Sequence, residues 1–534
     1  MRICASRGCV CHLLIVVSFL LAFGTSGRCQ VSVTTYHYDN FRTGQNTHET
    51  ILMPSVVRQS TFGKLFSQSV DGQVYAEPLY LTNLVIPKKG LHNVLFVATQ
   101  HDSVYAFDAD NNLGTNASPL WQVSFINAAS GITTIPSADT GTKMIYPEVG
   151  ITGTPVIDRA NGTLYVVAAT KENGAYLQRL HALDVTTGAE KFGGPVVIQA
   201  TVPGSGSGSS KGMITFDALR QNQRPALLLL NGVVYIAWAS HGLENQFSYH
   251  GWVIGYGENT LMQVAAFIDT PNGAQGGIWQ SGSGPAGDRS GNIFFMAGNG
   301  TFDANNSGSD YGMSYVKLGT KTGLSVADYF TPYDQAVLSA SDMDLGSGGA
   351  VLLPYQGGAA HPYLAIGAGK NGVIYLLDRT NMGHFNASGN QQIVQSITNA
   401  FAGHALYSTP AYWHGQIYFW ADYDVLRIFG MSNGLLLTSP IATSTVSLAS
   451  GATPVISSYN SSNAIVWAIQ ADHAGTGAAV LHALDANTAV ELYNSSQAGS
   501  RDVAGLAVKF TVPTVVNGKV YVGTANQVDV YGLF

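Results

Sequence analysis

One short segment recurs eight times along this chain of 534 residues, and no other feature limits its fold so strongly. The copies are NVLFVATQ from Asn93, GTLYVVAAT from Gly162, GVVYIAWAS from Gly232, GNIFFMAGN from Gly291, PYLAIGAG from Pro362, GQIYFWAD from Gly415, AIVWAIQA from Ala464 and GKVYVGTA from Gly518. Each is a β-branched and aromatic run, usually entered through a glycine turn, which suits a buried strand. Counted from Val94, Leu164, Val234, Ile293, Leu364, Ile417, Ile465 and Val520, the steps are 70, 70, 59, 71, 53, 48 and 55 residues. A four-stranded propeller blade takes about 40–50 residues, so the early copies carry insertions.

The flanks of the segment recur too. An entering strand, often marked by proline, comes first: EPLYL from Glu77, GTPVID from Gly153, STPAYW from Ser408, ATPVIS from Ala452 and VPTVV from Val512. A third strand and turn follow, as in VYAFDAD from Val104 and LHALDANT from Leu481, and an outer strand such as LWQVSF from Leu120 completes the unit. The last copy ends at YGLF without an outer strand, while FGKLFSQSV from Phe62 stands unpaired near the start. The pattern predicts an all-β, eight-bladed β-propeller of four-stranded antiparallel blades over residues 61–534. An N-terminal strand closes the ring, which removes the exposed edges that an open array would keep. Residues 28–60 are left as an N-terminal extension. The Ser-Gly-rich run at 204–212 reads as a flexible surface insertion.

Before the repeat, Arg2 and Arg7 precede an apolar run from Val10 to Phe23, and Gly24, Thr25, Ser26 and Gly27 follow. This is the order of a secretory signal, and the run is too short for a good membrane span. Residues 1–27 are therefore expected to be a leader, and the mature protein to be exported, periplasmic or secreted. Of the four cysteines, Cys4, Cys9 and Cys11 go with the leader, so Cys29 has no internal partner. Arg28 sits where a lipoprotein signal wants a small residue, which speaks against a lipid anchor at Cys29. With 11% charged residues, a net charge of -7 and no basic cluster, the chain is not built for nucleic acid or an anionic membrane surface.

In an antiparallel blade the chain alternates direction, so loops joining second to third strands share one face of the ring with the connections between blades. On that face, Glu244 with His241 follows the second strand of the third blade, Asn299 ends that of the fourth, and Lys370 follows that of the fifth. The connections after the third and fourth blades add Trp279 in GGIWQSGSGP and the pair Asp342 and Asp344 in SDMDLGSGG. Taken singly, each has a plain structural use: Trp279 packs a blade, Asn299 and Asp342 cap Gly-rich turns, and Lys370 is a solvated turn residue. Taken together, hard oxygens suit calcium, a flat aromatic suits a planar ligand, and a cation suits the ligand's oxygens.

These runs resemble the pyrroloquinoline-quinone (PQQ) dehydrogenases with eight-bladed propellers, in repeat style throughout the mature chain and locally in blades three to five. The resemblance implies that Asn299, in a Gly-Asn turn, is a calcium ligand, and that Trp279, in an Ile-Trp pair, stacks on the quinone. It implies that Asp342 or Asp344 is the catalytic base, with Asp342 also a calcium ligand. Lys370, ahead of Asn371-Gly372 and the run Leu377-Asp378-Arg379-Thr380, would hold the quinone oxygens. Glu244 would be the remaining calcium ligand, although ASHGLEN is displaced by an insertion. The chain departs from the family in lacking the adjacent cysteine pair that stacks on the quinone, and it has no Cys-x-x-Cys-His for a covalent haem.

Two function classes follow. One is an exported quinoprotein-like dehydrogenase that oxidises an alcohol or sugar hydroxyl with PQQ and calcium and passes electrons to an external acceptor. The other is a propeller that keeps the repeat without the cofactor and serves as a binding or assembly scaffold for a protein partner.

Overall fold

The computed structural model describes residues 30–242 and 246–534. The expected leader at residues 1–27, Cys29 and Glu244 lie outside the described residues. All eight repeated segments are second strands of separate antiparallel sheets, from Gly90–Thr99 in blade 1 to Lys519–Gly523 in blade 8. Blade 4 runs Ala286–Gly287, Ile293–Met296, Tyr315–Gly319 and Ser325–Thr331, and blade 5 runs Val351–Leu352, Leu364–Ala368, Ile374–Asp378 and Gln395–Ile397. The second strands are continuous apolar runs because a blade is covered by its neighbours on both faces. Phe294 and Met296, for instance, pack with Ala365, Tyr375 and Leu377 of the next blade.

The ring closes as the sequence predicts. Phe62–Ser69 pairs antiparallel with Gln527–Leu533, Phe62 opposite Leu533 and Ser69 opposite Gln527, and becomes the outer strand of blade 8. The run at 204–212 differs from the expectation. It is the tip of a hairpin between Thr201–Pro203 and Met213–Thr215, and it is pinned to the connection after blade 3. Gly206 and Ser207 donate backbone N–H bonds to the carbonyls of Pro271 and Gly273, and Ser207's own carbonyl bonds His250 Nε2. Among the described residues no helix is long and apolar enough to cross a membrane.

The N-terminal extension carries a feature that the repeat does not announce. Residues 33–46 wind through the central channel and bond the innermost strand of every blade. Val33 exchanges two 2.8 Å backbone bonds with Tyr80 of blade 1, and Ile157 of blade 2 donates to the Thr34 carbonyl. Asn40 Nδ2 donates to Leu229 of blade 3. Gly287, Leu352, Tyr412 and Ile456, of blades 4 to 7, donate in turn to the carbonyls of Asn40, Phe41, Thr43 and Gly44. Val515 of blade 8 donates to the Tyr38 hydroxyl. The inner edges of a propeller otherwise line the channel with unpaired peptide groups, which the segment satisfies. At its centre, Arg42 is fully buried and donates to the carbonyls of Pro285, Leu227 and Tyr36 and to the Thr35 hydroxyl.

Beside it, Glu77 Oε2 accepts the backbone N–H of His37 at 2.9 Å, while Oε1 is buried without a partner. Burial pushes the Glu77 carboxyl up to about 8 from an ordinary 4.5. The unfolded chain thus loses this proton before the folded one does. The stability Glu77 contributes is complete below pH 4.5 and is lost as pH rises through 8. Glu77→Gln removes that slope, so the variant should gain on the parent by about 4 kcal/mol between pH 5 and pH 9. Urea midpoints read the difference, and parallel pH profiles for the two proteins would exclude a protonated Glu77.

Candidate functional site

The face chosen from strand direction holds a cavity of about 320 Å³ at the channel mouth. Each connection between blades comes back to the channel there, so residues distant in sequence converge. Trp279, Asp342, Asp344 and Lys370 all line it, as the sequence placed them.

One wall is an acid and base cluster. Lys370 Nζ lies 2.6 Å from Asp344 Oδ2 and 2.9 Å from Asp342 Oδ1, and its backbone N–H donates to the Asp344 carbonyl at 2.9 Å. Asn299 joins both carboxylates: its backbone N–H donates to Asp344 Oδ1 at 2.7 Å and its Nδ2 to Asp342 Oδ1 at 2.8 Å. That leaves Asn299 Oδ1 buried without a partner. A Cβ at Gly298 would stand 2.8 Å from Asp344 Oδ1, so a side chain here would push that carboxylate out of place. Burial pushes the Asp344 carboxyl up, and the Lys370 ammonium only partly opposes it. For Lys370 burial pulls downward, and the two carboxylates outweigh it and hold the ammonium above its usual range. Asp342 differs from Asp344 in lying open to solvent, its side chain 70% exposed at a backbone φ of 56°.

The second wall is Trp279, half-buried at the start of a tight turn. Gln280 and Ser281 both take left-handed backbone angles, φ 46° and 50°, which non-glycine residues adopt at a cost of about 1 kcal/mol or more each. Two bonds hold the turn: Met296 N–H to Gln280 Oε1 at 3.1 Å and Ser281 Oγ to the Ser347 carbonyl at 2.6 Å. Strain compensated in this way, next to an aromatic ring on a cavity wall, fixes where that ring stands.

The third wall was not read from the sequence. Arg224, in the connection after blade 2, donates Nη1 to the Thr152 carbonyl at 2.9 Å, while its Nη2 is buried without a partner. Gly282 leaves room for the guanidinium, since a Cβ there would approach Nη1 to 2.6 Å. Lys509, in the connection before blade 8, also lines the cavity, and burial together with Arg224 pulls its ammonium below the usual range. Tyr75 also lines the cavity, its ring centre 5.5 Å from the Arg224 guanidinium carbon. Neither cation sits in a repeated motif. Position alone could have flagged them, because both occupy connections that strand direction assigns to this face.

Three cations, a carboxylate pair and an indole thus line one cavity. Among the described residues no group of three or more His, Cys, Asp or Glu side chains is placed to hold a metal ion. Asn299, Asp342 and Asp344 are brought together, whereas Glu244 is outside the described residues.

No protein-family model matches the chain, and no curated protein matches it in sequence. Solved structures do. The quinohemoprotein alcohol dehydrogenase ADHIIG from Pseudomonas putida HK5 superposes with a TM-score of 0.59 at 14% identity, covering 94% of this chain and 80% of that one. A europium-containing methanol dehydrogenase gives 0.62 at 13% identity, covering 94% and 98%. The eight-bladed propeller is the fold that this chain shares with these dehydrogenase structures. The quinohemoprotein alcohol dehydrogenase from Comamonas testosteroni gives 0.56 at 13% identity, covering 94% and 80%. At these identities the likeness to quinoprotein dehydrogenases is one of architecture, and chemistry has to be argued from the cavity itself.

Proposed function

We propose that this chain is an exported quinoprotein dehydrogenase that binds PQQ in the channel-mouth cavity and oxidises an alcohol or sugar hydroxyl. The observation that carries the reading is the convergence of Trp279 with Lys370, Arg224 and Lys509 around one space. A planar ligand bearing several anionic oxygens meets both needs of that lining, a face to stack on and cations to neutralise it. The volume lies within the range of small-molecule sites, about 300–1,000 Å³. Arg224 Nη2, a buried donor without an acceptor, supports the fit, because such a donor is costly unless a ligand completes it.

Asn299 and Asp342 would hold calcium, with Glu244 as the further ligand that the resemblance implies, and Asn299 Oδ1 is the hard oxygen still lacking a partner. When bound, PQQ supplies the hydride acceptor and calcium supplies Lewis acidity. The protein's own residues do the rest. Trp279 orients the ring system, and Lys370, Arg224 and Lys509 bind its oxygens. Asp344 Oδ2 takes the hydroxyl proton of the substrate: it is buried in the cavity wall, and burial raises its carboxyl above the ordinary range, which makes it a stronger base. Electrons leave to an external acceptor.

A second reading has its own support. Lys370 bridging both carboxylates is a complete ion-pair network that can serve structure alone, as in a scaffold propeller. Calorimetric titration of the purified mature chain with PQQ decides between the two, run with and without calcium and with a europium arm, since one structural neighbour is described as containing that metal. Binding heat followed by dye-linked oxidation of alcohols or sugars is expected. No heat under any of these conditions would sink the dehydrogenase reading and leave the scaffold.

A further inference from the structure

The N-terminal segment separates the channel-mouth cavity from a second cavity on the opposite face, where the turns between first and second strands meet those between third and fourth. This far cavity measures about 1040 Å³, with Asn40 and Phe41 of the segment among its lining. The chain holds only 25 lysines and arginines, yet three of them line this one space: Arg289, Lys317 and Arg379.

None of the three forms an ion pair with a carboxylate among the described residues. Lys317 Nζ donates to the Arg379 carbonyl at 2.8 Å, and Arg379 Nη2 donates to the Leu353 carbonyl at 3.2 Å. Arg379 is only 7% exposed, and its Nε has no partner. The two acids in the lining are committed to their own turns. Asp39 accepts from the backbone N–H and hydroxyl of Thr43, and Asp288 accepts from the backbone of Ser290 and from the backbone and side chain of Asn292. Aromatic surface completes the lining. Phe41 and Tyr363 flank the Arg379 guanidinium at 5.1 and 5.8 Å, and the Tyr363 ring stands 5.4 Å from that of Tyr355.

Three cations thus outnumber the two carboxylates of the lining, Asp288 acts on Arg379 from a distance without pairing with it, and the Arg379 Nε remains a donor that an anion can satisfy. We propose that the far cavity binds a small organic or inorganic oligo-anion through Arg379, Arg289 and Lys317, using carboxylate or phosphate oxygens. The site is independent of the quinone reading, because it lies on the other side of the N-terminal segment and shares no lining residue with the first cavity.

The test is calorimetry on the full mature chain with citrate as the carboxylate probe, pyrophosphate as the phosphate probe and glycerol as the neutral control. At least one anion should give heat that weakens as salt is raised, and glycerol none. The near cavity is cationic too, so variants assign the site. Arg289→Ser combined with Lys317→Met should weaken binding by about tenfold or more, while Lys370→Met leaves it unchanged. Heat with citrate alone identifies a carboxylate site, and heat with pyrophosphate alone a phosphate site. Silence with both anions, or binding lost in Lys370→Met and kept in the double variant, overturns the proposal.

Discussion

Replacing Arg42 with methionine is expected to cost about 4 kcal/mol or more of folding stability, the largest single effect anticipated for any residue outside the cavities. The substitution leaves three buried carbonyls, of Pro285, Leu227 and Tyr36, without donors at once. Each such loss costs about 1–3 kcal/mol. Against a total stability of about 5–15 kcal/mol for a typical domain, this approaches unfolding. Arg42→Lys should recover part of the loss, since one ammonium reaches some of the acceptors that five guanidinium hydrogens reach. Urea denaturation measures both variants. An unchanged midpoint for Arg42→Met would show that the segment at 33–46 fills the channel without holding it.

The second large effect concerns Asp344, on the proposed dehydrogenase reading. Asp344→Asn keeps the size of the side chain and removes its basicity, so turnover should fall by about 10²–10⁴ while PQQ still binds. The base works only when ionised. Burial raises Asp344, so activity should fall on the acid side at a pH above the ordinary carboxylate range near 3.8. Lys370 opposes that rise, and Lys370→Met should therefore move the acid limb to still higher pH. Profiles of kcat at saturating PQQ separate this movement from any loss of cofactor binding. A limb that moves to lower pH in Lys370→Met, or Asp344→Asn with wild-type turnover, removes Asp344 from the reaction.

The architecture was legible because it is written eight times. Strand-like runs, proline-marked entering strands and a missing final strand leave few alternatives, and the pairing of Phe62–Ser69 with Gln527–Leu533 follows from the exposed edge that the missing strand creates. Strand direction then placed Trp279, Asp342, Asp344 and Lys370 on one face, and all four line the cavity there. Arg224 and Lys509 escaped notice because a lone cation in a loop carries no pattern, and its meaning depends on connections more than 280 residues apart in the chain meeting at the axis. The run VTTYHYDNFRTGQN from Val33 was opaque for a different reason. It has neither strand nor helix periodicity, because it follows the turning inner rim of a ring and bonds a few groups of each blade in turn. The Ser-Gly run at 204–212 was misjudged because composition reports what a backbone can do when free, whereas here neighbouring carbonyls hold it.

The thread through the channel also bears on how the molecule comes apart. Repeat arrays whose units touch only their neighbours can melt one unit at a time, since losing a blade at one end leaves the rest intact. A strand of chain tied to all eight inner edges abolishes that independence: releasing any one blade loosens the common tether of the other seven. Unfolding followed by tryptophan fluorescence, which samples several blades, and by far-ultraviolet circular dichroism, which samples them all, should then trace one coincident transition.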